Sequence, residues 1–389
     1  MPGYELIGIE EQNEINEVFK NGGVLFRHGF DELRNNCYKV KEFEEAFAKK
    51  MNVPYALAVT SGTSALRVAL SVLNLQEGDE IITQSFTFVA TVEAIIEARA
   101  IPVCTEIDEG FNMDFEDLKS KIGPKTKAVI VVHMLGTPAK LKEIKKICDD
   151  FDVPLIEDSA WGCGGSYNGI ALGTYGRMGT YSFDFVKTMT TGEGGMILFK
   201  NKFDYEKAAA WHDHGHENNP KVPRWEDTRA SSGFNFRMTE LQGAVGLAQL
   251  RKLDFIVKMQ NKNKKALEEA IKGNKHIKLR EVPSGSYETA DALVFTVKDK
   301  DSALNIRREL LKEGISTKIL PEATSWHFSA TWTHMKELEV FHGKDLSNAF
   351  PISKKLLERA VSLPVKVNFD DDYLNKVRKA IDRALYAVS

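Results

Sequence analysis

Seven short apolar runs, separated by stretches of helical periodicity, constrain the fold of this chain more than any other feature. The strand-like runs lie at 55–59, 80–83, 101–105, 128–133, 154–157, 180–183 and 196–199. Apolar residues recur at helical spacing between some of them, at 65–73, 89–98 and 141–149. Strands that are apolar on both faces and alternate with helices are typical of a largely parallel sheet covered by helices. We therefore predict an α/β domain whose ligands lie at the carboxyl ends of the strands.

The C-terminal part of the chain predicts a second, smaller domain. A long helical pattern covers 238–272, and candidate strands follow at 292–297 and 315–320. Further helical patterns lie at 302–313, 353–360 and 370–387. We place the domain boundary near residue 255, inside the long helix. This divides the 389 residues into a large α/β domain with an N-terminal segment at 1–255 and a small α+β domain at 256–389.

The composition is that of an ordinary globular protein and argues against several classes of partner. Hydrophobic residues make up 43% and charged residues 28% of the chain, and the formal net charge is only -3. A charge so close to neutral gives no basis for binding nucleic acid or an anionic membrane. No apolar run approaches the roughly 20 residues of a membrane span, and the N-terminus lacks the pattern of a signal peptide. The four cysteines show no disulfide-like or CxxC spacing, so we expect a cytoplasmic protein without membrane insertion.

A glycine between hydroxyl residues, in Ser61-Gly62-Thr63-Ser64, follows the first strand-like run and begins a helical stretch. Free amide groups and the helix dipole make such a helix start a site for phosphate. Gly62 would let the backbone approach closely, Thr63 could donate a hydroxyl, and Ser182 could add another. The same residues also fit an ordinary N-cap, which is their commoner use when the segment is taken alone.

Two charged residues follow other strand-like runs and complete a set suited to pyridoxal 5'-phosphate (PLP). Asp158 ends the run at 154–157, where its carboxylate could pair with a protonated pyridine nitrogen and strengthen the ring as an electron sink. Lys187 lies in an apolar segment before TGEGG (191–195), and desolvation there would lower the pKa of its amine. Phe86 could stack on the ring, although an ordinary core Phe is the commoner case. An amine, a carboxylate and a phosphate cradle at one sheet edge predict a PLP site.

Five segments of the chain carry a resemblance to a known family. They are SGTSAL (61–66), SFTFVAT (85–91), IEDSA (156–160), YSFDFVKTMTTGEGG (181–195) and GFNFRMTELQGAVGLAQL (233–250). In their order and spacing they resemble the sugar aminotransferases of the DegT/StrS group, fold-type I PLP-dependent transferases, and the likeness covers nearly the whole chain. The resemblance implies transamination, because a branch of sugar 3-dehydratases in this family has His at the position of Lys187.

The family pattern also implies roles for individual residues. Lys187 would form the Schiff base with PLP, and Asp158 would pair with the pyridinium nitrogen. The remaining cofactor contacts would come from Phe86 on the ring face, from Gly62, Thr63 and Ser182 on the phosphate, and from Asn235 on the phosphate of a neighbouring subunit. The enzyme would therefore be a homodimer with shared active sites. The chain departs from the family at Trp161, where many members carry a Gln or His that contacts the ring hydroxyl.

Three further segments suggest the acceptor sugar. The segments at 24–44, 211–216 and 325–334 are similar to family members that aminate 8-oxo-3-deoxy-manno-octulosonate. The product, 8-amino-3,8-dideoxy-manno-octulosonate (8-amino-Kdo), is an amino form of the lipopolysaccharide sugar Kdo, and L-glutamate would be the donor. For this free sugar acid, we assign Arg27 and Arg34 as partners of the carboxylate. Further candidate sugar contacts are His214, His216, Trp326 and His327. Surface or interface charges for the two arginines, and core packing for Trp326, are equally compatible with the sequence.

The predicted reaction is a two-stage exchange with ping-pong kinetics. Glutamate would leave its amino group on the cofactor, and the sugar would then collect it, with the Lys187 amine serving as general base and then acid. One alternative is an aminotransferase for a nucleotide-linked 3- or 4-keto sugar, and a second is a non-catalytic sugar-binding relative. The histidines at 212, 214 and 216 permit a metal site by spacing, but PLP chemistry needs no metal and we predict none. A nicotinamide dehydrogenase is disfavoured because no GxGxxG follows the first strand-like run.

Overall fold

The computed structural model of the chain describes residues 2–219 and 221–386. The helices are α1 (Ile9–Lys20), α2 (Lys39–Met51), α3 (Gly62–Ser71), α4 (Val89–Glu97), α5 (Phe115–Lys121), α6 (Leu141–Asp150), α7 (Lys202–Trp211), α8 (Glu240–Ile271), α9 (Lys300–Lys312), α10 (Thr324–His327), α11 (Lys336–His342), α12 (Pro351–Glu358) and α13 (Asp371–Tyr386). The strands are β1 (Tyr55–Val59), β2 (Glu80–Gln84), β3 (Ile101–Thr105), β4 (Thr126–Val132), β5 (Leu155–Asp158), β6 (Ser166–Tyr167), β7 (Ile170–Ala171), β8 (Met178–Ser182), β9 (Gly195–Phe199), β10 (Lys278–Leu279), β11 (Ser286–Tyr287), β12 (Ala292–Thr296) and β13 (Ala360–Pro364).

Seven strands form a central sheet in the order β1-β9-β8-β5-β4-β2-β3. Only β9 runs antiparallel to its two neighbours, and the other pairs in the sheet are parallel. Each of these strands matches one of the seven apolar runs, so the predicted α/β fold with a mostly parallel sheet is confirmed. Because six strands point the same way, their carboxyl ends meet at one edge, where a ligand of such a sheet is expected.

Helices cover both faces of this sheet, and β4 shows how the sequence directs them there. Successive side chains of a strand point to opposite faces. Ala128 and Ile130 join a buried cluster with residues of α3 and α4. Val129 and Val131 join a different cluster, with residues of α6. An apolar strand of this kind is stable only between two layers, which explains why the run reads as continuously apolar.

The 32-residue helix α8 connects the two predicted domains. Near its N-terminal end, Leu247 and Leu250 pack with α2 and with strands of the central sheet. Near its C-terminal end, Leu267 and Ile271 pack in another cluster with β12, α9 and α13. Residue 255 lies inside this continuous helix, and the division at that point stays a prediction.

Packing in the C-terminal part corrects one predicted strand. Residues 315–320 form no strand; the backbone N–H of Lys318 donates to the Ser362 carbonyl oxygen at 2.9 Å, and those of Ile319 and Leu320 donate to Ser362 Oγ at 3.1 and 2.9 Å. The Ser362 side chain thus accepts two backbone hydrogen bonds that a neighbouring strand would otherwise accept. The antiparallel partners of β12 are β10 and β13, and β13 begins where the helix predicted at 353–360 was expected to end. The last residue of the helix predicted at 370–387 lies outside the described residues.

Within the described residues, no helix combines the length and apolar character that crossing a bilayer requires.

Candidate active site

A cavity of about 630 Å³ opens at the carboxyl ends of the central strands. Its walls come from segments that follow β1, β2, β5 and β8, together with the loop at 316–319 and the end of β13. The sequence motifs that predicted a PLP site therefore meet around one space. A cavity of this size suits a cofactor together with a small substrate.

Lys187 lies in a tight turn after β8 that holds its backbone on both sides. Its N–H donates to the Asp184 carbonyl oxygen at 3.0 Å, and its carbonyl oxygen accepts from the Gly3 N–H at 3.2 Å. The side chain is buried, and its Nζ lies 3.3 Å from the ring centroid of Trp161. Burial lowers the pKa of this amine to about 8, against the opposing pull of the Asp291 and Asp158 carboxylates. Such an amine loses its proton near neutral pH and becomes a nucleophile.

Asp158 ends β5, and both of its carboxylate oxygens are held in place. Oδ1 accepts from the Ala160 N–H at 3.1 Å, and Oδ2 accepts from the Thr91 hydroxyl at 2.9 Å. The side chain is buried, and burial raises the pKa of this carboxyl group. A buried carboxylate is stabilised by a cation placed beside it. The group is therefore oriented and electrostatically prepared to bind a protonated ring nitrogen in the cavity.

The start of α3 lies unusually close to the end of β8. A Cβ atom added to Gly62 would lie 2.7 Å from Ser182 Cβ and 3.1 Å from Ser182 Oγ, so glycine is required for this approach. Ser61 is the N-cap, because its Oγ accepts from the Ser64 N–H at 3.1 Å. The same segment can thus cap the helix and hold a phosphate. Gly62, Thr63 and Ser182 line the same wall of the cavity, where backbone amides and hydroxyls suit a phosphate.

Taken together, these groups fit PLP. The nucleophilic amine, the buried carboxylate and the phosphate cradle line one cavity, which is what a pyridine ring with an aldehyde and a phosphate requires.

The structure does not support the predicted stacking role of Phe86. Its side chain is 0% exposed, and it belongs to a hydrophobic cluster in which its ring lies 6.4 Å from that of Phe111. Phe88, two residues later, is 37% exposed and lines the cavity. Both phenylalanines follow the end of β2, and only the tertiary packing shows that Phe88, and not the predicted Phe86, reaches the cavity.

Arg27 and Arg34 are not available to a sugar carboxylate, which corrects both assignments. Arg27 forms an ion pair with the buried Glu44 at 2.7 Å and donates to the Ala58 carbonyl oxygen at 3.2 Å. Arg34 is buried, pairs with Glu240 at 3.1 Å and donates to the Cys37 carbonyl oxygen at 3.0 Å. Both guanidinium groups therefore fasten the N-terminal segment to the core.

The four remaining substrate candidates fall into two groups. His327 lines the cavity, and burial lowers the pKa of its ring to about 4, so it is neutral at neutral pH. Trp326 is 61% exposed and stacks on Phe88 with the two rings 17° apart in plane. His214 and His216 do not line this cavity; His214 is exposed, and His216 pairs with Asp227 at 3.1 Å. Among residues 2–219 and 221–386, no group of three or more His, Cys, Asp or Glu side chains is arranged to hold a metal ion.

Comparison with known proteins decides the family. The profile of the DegT/DnrJ/EryC1/StrS aminotransferase family matches residues 10–382. The chain belongs to this family. It is a PLP-dependent sugar aminotransferase.

Individual relatives of this DegT-family chain agree with that assignment. It is 30% identical to a GDP-perosamine synthase of Vibrio cholerae over 375 residues, which covers 95% of each chain. It is 38% identical to EpsN of Bacillus subtilis, described as a putative pyridoxal phosphate-dependent aminotransferase, over 55% of this chain and 56% of that one. The aminotransferase TlmJ of Streptoalloteichus hindustanus superimposes with a TM-score of 0.85 at 25% identity, covering 98% of both chains. An aminotransferase of Psychrobacter cryohalolentis gives 0.86 at 25% identity and the same coverage.

Asn235, the residue that the family pattern assigns to a neighbouring subunit, does not line the cavity of its own chain. It is exposed, and its Oδ1 accepts from the Arg237 N–H at 3.3 Å. It lies beside Asp213, which contacts His28 at 3.2 Å and forms ion pairs with Arg224 and Arg237. Against the opposing effect of burial, the contacts with His28 and Arg224 hold the pKa of Asp213 far below its usual range. The Asn235 segment is therefore held in an ordered position at the surface.

Three residues of the C-terminal part lie at or beside the DegT-family site, although the sequence did not predict them as site residues. Lys318 and Lys366 line the cavity, and Asp291 pairs with Lys318. Lys318 lies in the segment that was predicted as a strand, and Lys366 follows β13, which was not predicted as a strand. None of the three belongs to a local motif, so only the tertiary structure reveals them.

The residues act on bound PLP as follows. The cofactor supplies an aldehyde that condenses with amines and a ring that withdraws electrons. Asp158 would hold a proton on the ring nitrogen, with Thr91 and Ala160 keeping that carboxylate aligned. Lys187 Nζ would take a proton from the reacting carbon of the substrate and return it, as base and then acid. Its lowered pKa would make both directions accessible near neutral pH.

Proposed function

We propose that this enzyme transfers the amino group of L-glutamate to 8-oxo-3-deoxy-manno-octulosonate, giving 8-amino-Kdo for lipopolysaccharide synthesis. The observation that carries the proposal is that one cavity combines an unpaired lysine, Lys366, with the ring of Phe88, on which the exposed Trp326 stacks. A free sugar acid needs a cation for its carboxylate and an apolar surface for its C–H face. The segment at 325–334, one of the three that suggested this sugar, supplies His327 to the cavity.

Lys366 takes the role first assigned to Arg27 and Arg34. It lines the cavity, and within residues 2–219 and 221–386 its ammonium group contacts an aromatic ring and no carboxylate. Its ammonium group lies 5.3 Å from the ring centroid of Tyr373. A cation without a carboxylate partner can bind the carboxylate of a substrate at little cost in lost contacts.

Phe88 and Trp326 provide the apolar surface. Their rings stack with centroids 6.3 Å apart, and Phe88 also contacts the His327 ring at 5.4 Å. Because the His327 ring is neutral at neutral pH, it offers hydrogen bonds to sugar hydroxyl groups without adding charge.

The test is a panel of acceptors assayed with glutamate as donor. We expect 8-oxo-3-deoxy-manno-octulosonate to be aminated with a higher kcat/KM than GDP- or other nucleotide-linked 3- and 4-keto sugars.

Lys366→Met should lower kcat/KM for the octulosonate by roughly tenfold through loss of a charge-assisted contact. Lys146→Met, at an exposed i,i+4 pair with Asp150, is the matched control and should leave it unchanged.

The second candidate acceptor is a nucleotide-linked 3- or 4-keto sugar. It is favoured by the similarity to a GDP-perosamine synthase over 95% of the chain. A preference for such a sugar in the panel, with no effect of Lys366→Met, would replace the octulosonate by this alternative. The non-catalytic alternative is not retained, because the chain is an aminotransferase by family and keeps Lys187 and Asp158 in one cavity.

We further propose that the working enzyme is a homodimer in which Asn235 of one copy completes the phosphate cradle of the other. Exposed aromatic residues near Asn235 support this proposal. Phe234 is exposed and packs on Trp211 and Phe236, and Trp225 projects into solvent. Exposed aromatic groups at this density are typical of surfaces that bind another protein.

A further inference from the structure

Two lysine ammonium groups approach the ring of Trp161. Lys187 Nζ lies 3.3 Å from its centroid and Lys318 Nζ lies 4.8 Å from it. The face of an indole attracts cations and offers no carboxylate or carbonyl that could bind them strongly. Trp161 is buried, so both ammonium groups are held in a space with little water.

Lys318 is fixed in this position by both its backbone and its side chain. The Lys318 N–H donates to the Ser362 carbonyl oxygen at 2.9 Å, which ties its loop to β13. Its ammonium pairs with Asp291, whose side chain is completely buried. The second carboxylate oxygen of Asp291 has no hydrogen-bond partner in the described part of the chain. The buried carboxylate therefore fixes the position of the Lys318 ammonium, and Lys318 lines the cavity.

The chemistry of PLP identifies what lies beside Lys187 when the cofactor is bound. The aldehyde carbon that bonds the lysine nitrogen is attached to the ring next to an acidic hydroxyl group. A cation in the cavity near Lys187 is therefore within reach of that oxygen. A positive partner there stabilises the oxygen in its deprotonated form.

We propose that Lys318, held by Asp291 beside Trp161, binds the ring hydroxyl of PLP. Trp161 forms the wall against which Lys318 and Lys187 lie. Lys318, from the C-terminal part of the chain, donates the hydrogen bond to the ring oxygen. The site thus draws its ring-nitrogen contact from β5 and its ring-oxygen contact from the loop before α10. This assignment concerns the cofactor and does not depend on which sugar is the acceptor.

The experiment measures cofactor affinity instead of turnover. Apoprotein is titrated with PLP and with 3-deoxypyridoxal 5'-phosphate, which lacks only the ring hydroxyl, and binding is followed by equilibrium dialysis. In Lys318→Met we expect PLP to bind roughly tenfold more weakly or worse, because a hydrogen bond to a charged group is lost. The affinity for the deoxy analogue should stay within about twofold of that of the unaltered protein, since no such bond exists to lose.

Two further variants keep the result decisive. Asp291→Asn combined with Lys318→Met removes both charges, so no unpaired carboxylate is left buried. This double variant should show the same selective loss of affinity for PLP. Lys366→Met, which alters another lysine of the cavity wall, should change the affinities for PLP and for the deoxy analogue by the same factor. If Lys318→Met and the double variant weaken PLP and the deoxy analogue by the same factor, Lys318 supports the fold of the cavity and the proposal is overturned.

Discussion

At the scale of single residues, the pKa of Lys187 makes a prediction about how the enzyme acquires its cofactor. Only the neutral amine attacks the aldehyde of PLP, and its pKa is lowered from 10.5 to about 8. The rate of attachment to apoprotein should therefore rise with pH up to about 8 and then level off. Borohydride trapping of the bound cofactor, followed by peptide mapping, measures that rate. A rate that continues to climb toward pH 10.5 would contradict the assignment, and Lys187→Ala should show no trapped adduct and no turnover.

Gly62 gives a second prediction at this scale. Because a Cβ there would lie 2.7 Å from Ser182 Cβ, Gly62→Ala must push the start of α3 away from β8. We expect at least about tenfold weaker PLP binding, since the amides and hydroxyls of the cradle separate. Gly123→Ala is the matched control, because a Cβ at Gly123 meets nothing within 4 Å. Equal affinities of the two variants for PLP, measured by dialysis, would argue against a cradle at Gly62.

The sequence predicted residues whose role depends on their own segment and missed those whose role depends on distant ones. Asp158 and Lys187 each follow an apolar strand, so the fold alone brings them to the same edge of the sheet. Arg27 and Arg34 lie in a polar segment that looked free, and their buried partners Glu44 and Glu240 cannot be deduced from local pattern. Lys318 has no motif at all. The sequence shows which charged side chains could bind a ligand. Only the packing shows whether such a side chain is already paired with another residue of the protein.

At the scale of elements, one buried ion pair joins the N-terminal segment to the longest helix. Arg34 pairs with Glu240, the first residue of α8, and Glu240 also accepts from the Val40 N–H of α2 at 3.2 Å. Removing Arg34 leaves Glu240 buried without its cation. Arg34→Ala should therefore lower the free energy of unfolding by about 3 kcal/mol, measured by urea denaturation.

The control for this prediction is an exposed arginine of another helix. Arg378 lies 3.9 Å from Asp382 on the surface of α13, and Arg378→Ala should leave the free energy of unfolding almost unchanged. Comparable losses in the two variants would mean that the Arg34–Glu240 pair contributes no more than a solvated one.

Element prediction succeeded for the seven central strands and for α8, and it failed for two short apolar segments of the C-terminal part. The seven central strands and α8 were found because each is bounded by turns or extends over many helical repeats. The segments at 315–320 and 360–364 are both short and apolar, and either one satisfies the pattern of a strand. Which one pairs with β12 is decided by Ser362, whose backbone continues the ladder while its side chain binds the other segment.

At the scale of the whole molecule, the dimer proposal predicts complementation between two inactive variants. Lys187→Ala removes the amine from a chain's own cavity, whereas Asn235→Ala removes a contact that the chain would give to its partner. In a mixed dimer, one of the two sites then combines an intact Lys187 with an intact Asn235 from the other copy. Activity should therefore return when the two variants are co-expressed, although each alone is inactive or nearly so.

The measurement is turnover of purified mixed dimers that carry a different affinity tag on each subunit. A double variant with both substitutions, paired with the unaltered chain, is the matched control. Its mixed dimers hold one site that lacks only Lys187 and one that lacks only Asn235, so they should stay nearly inactive. If instead Lys187→Ala with Asn235→Ala gives no recovery while the control pair keeps activity, Asn235 acts within its own chain. Its exposed position outside that chain's cavity makes the first outcome the expected one.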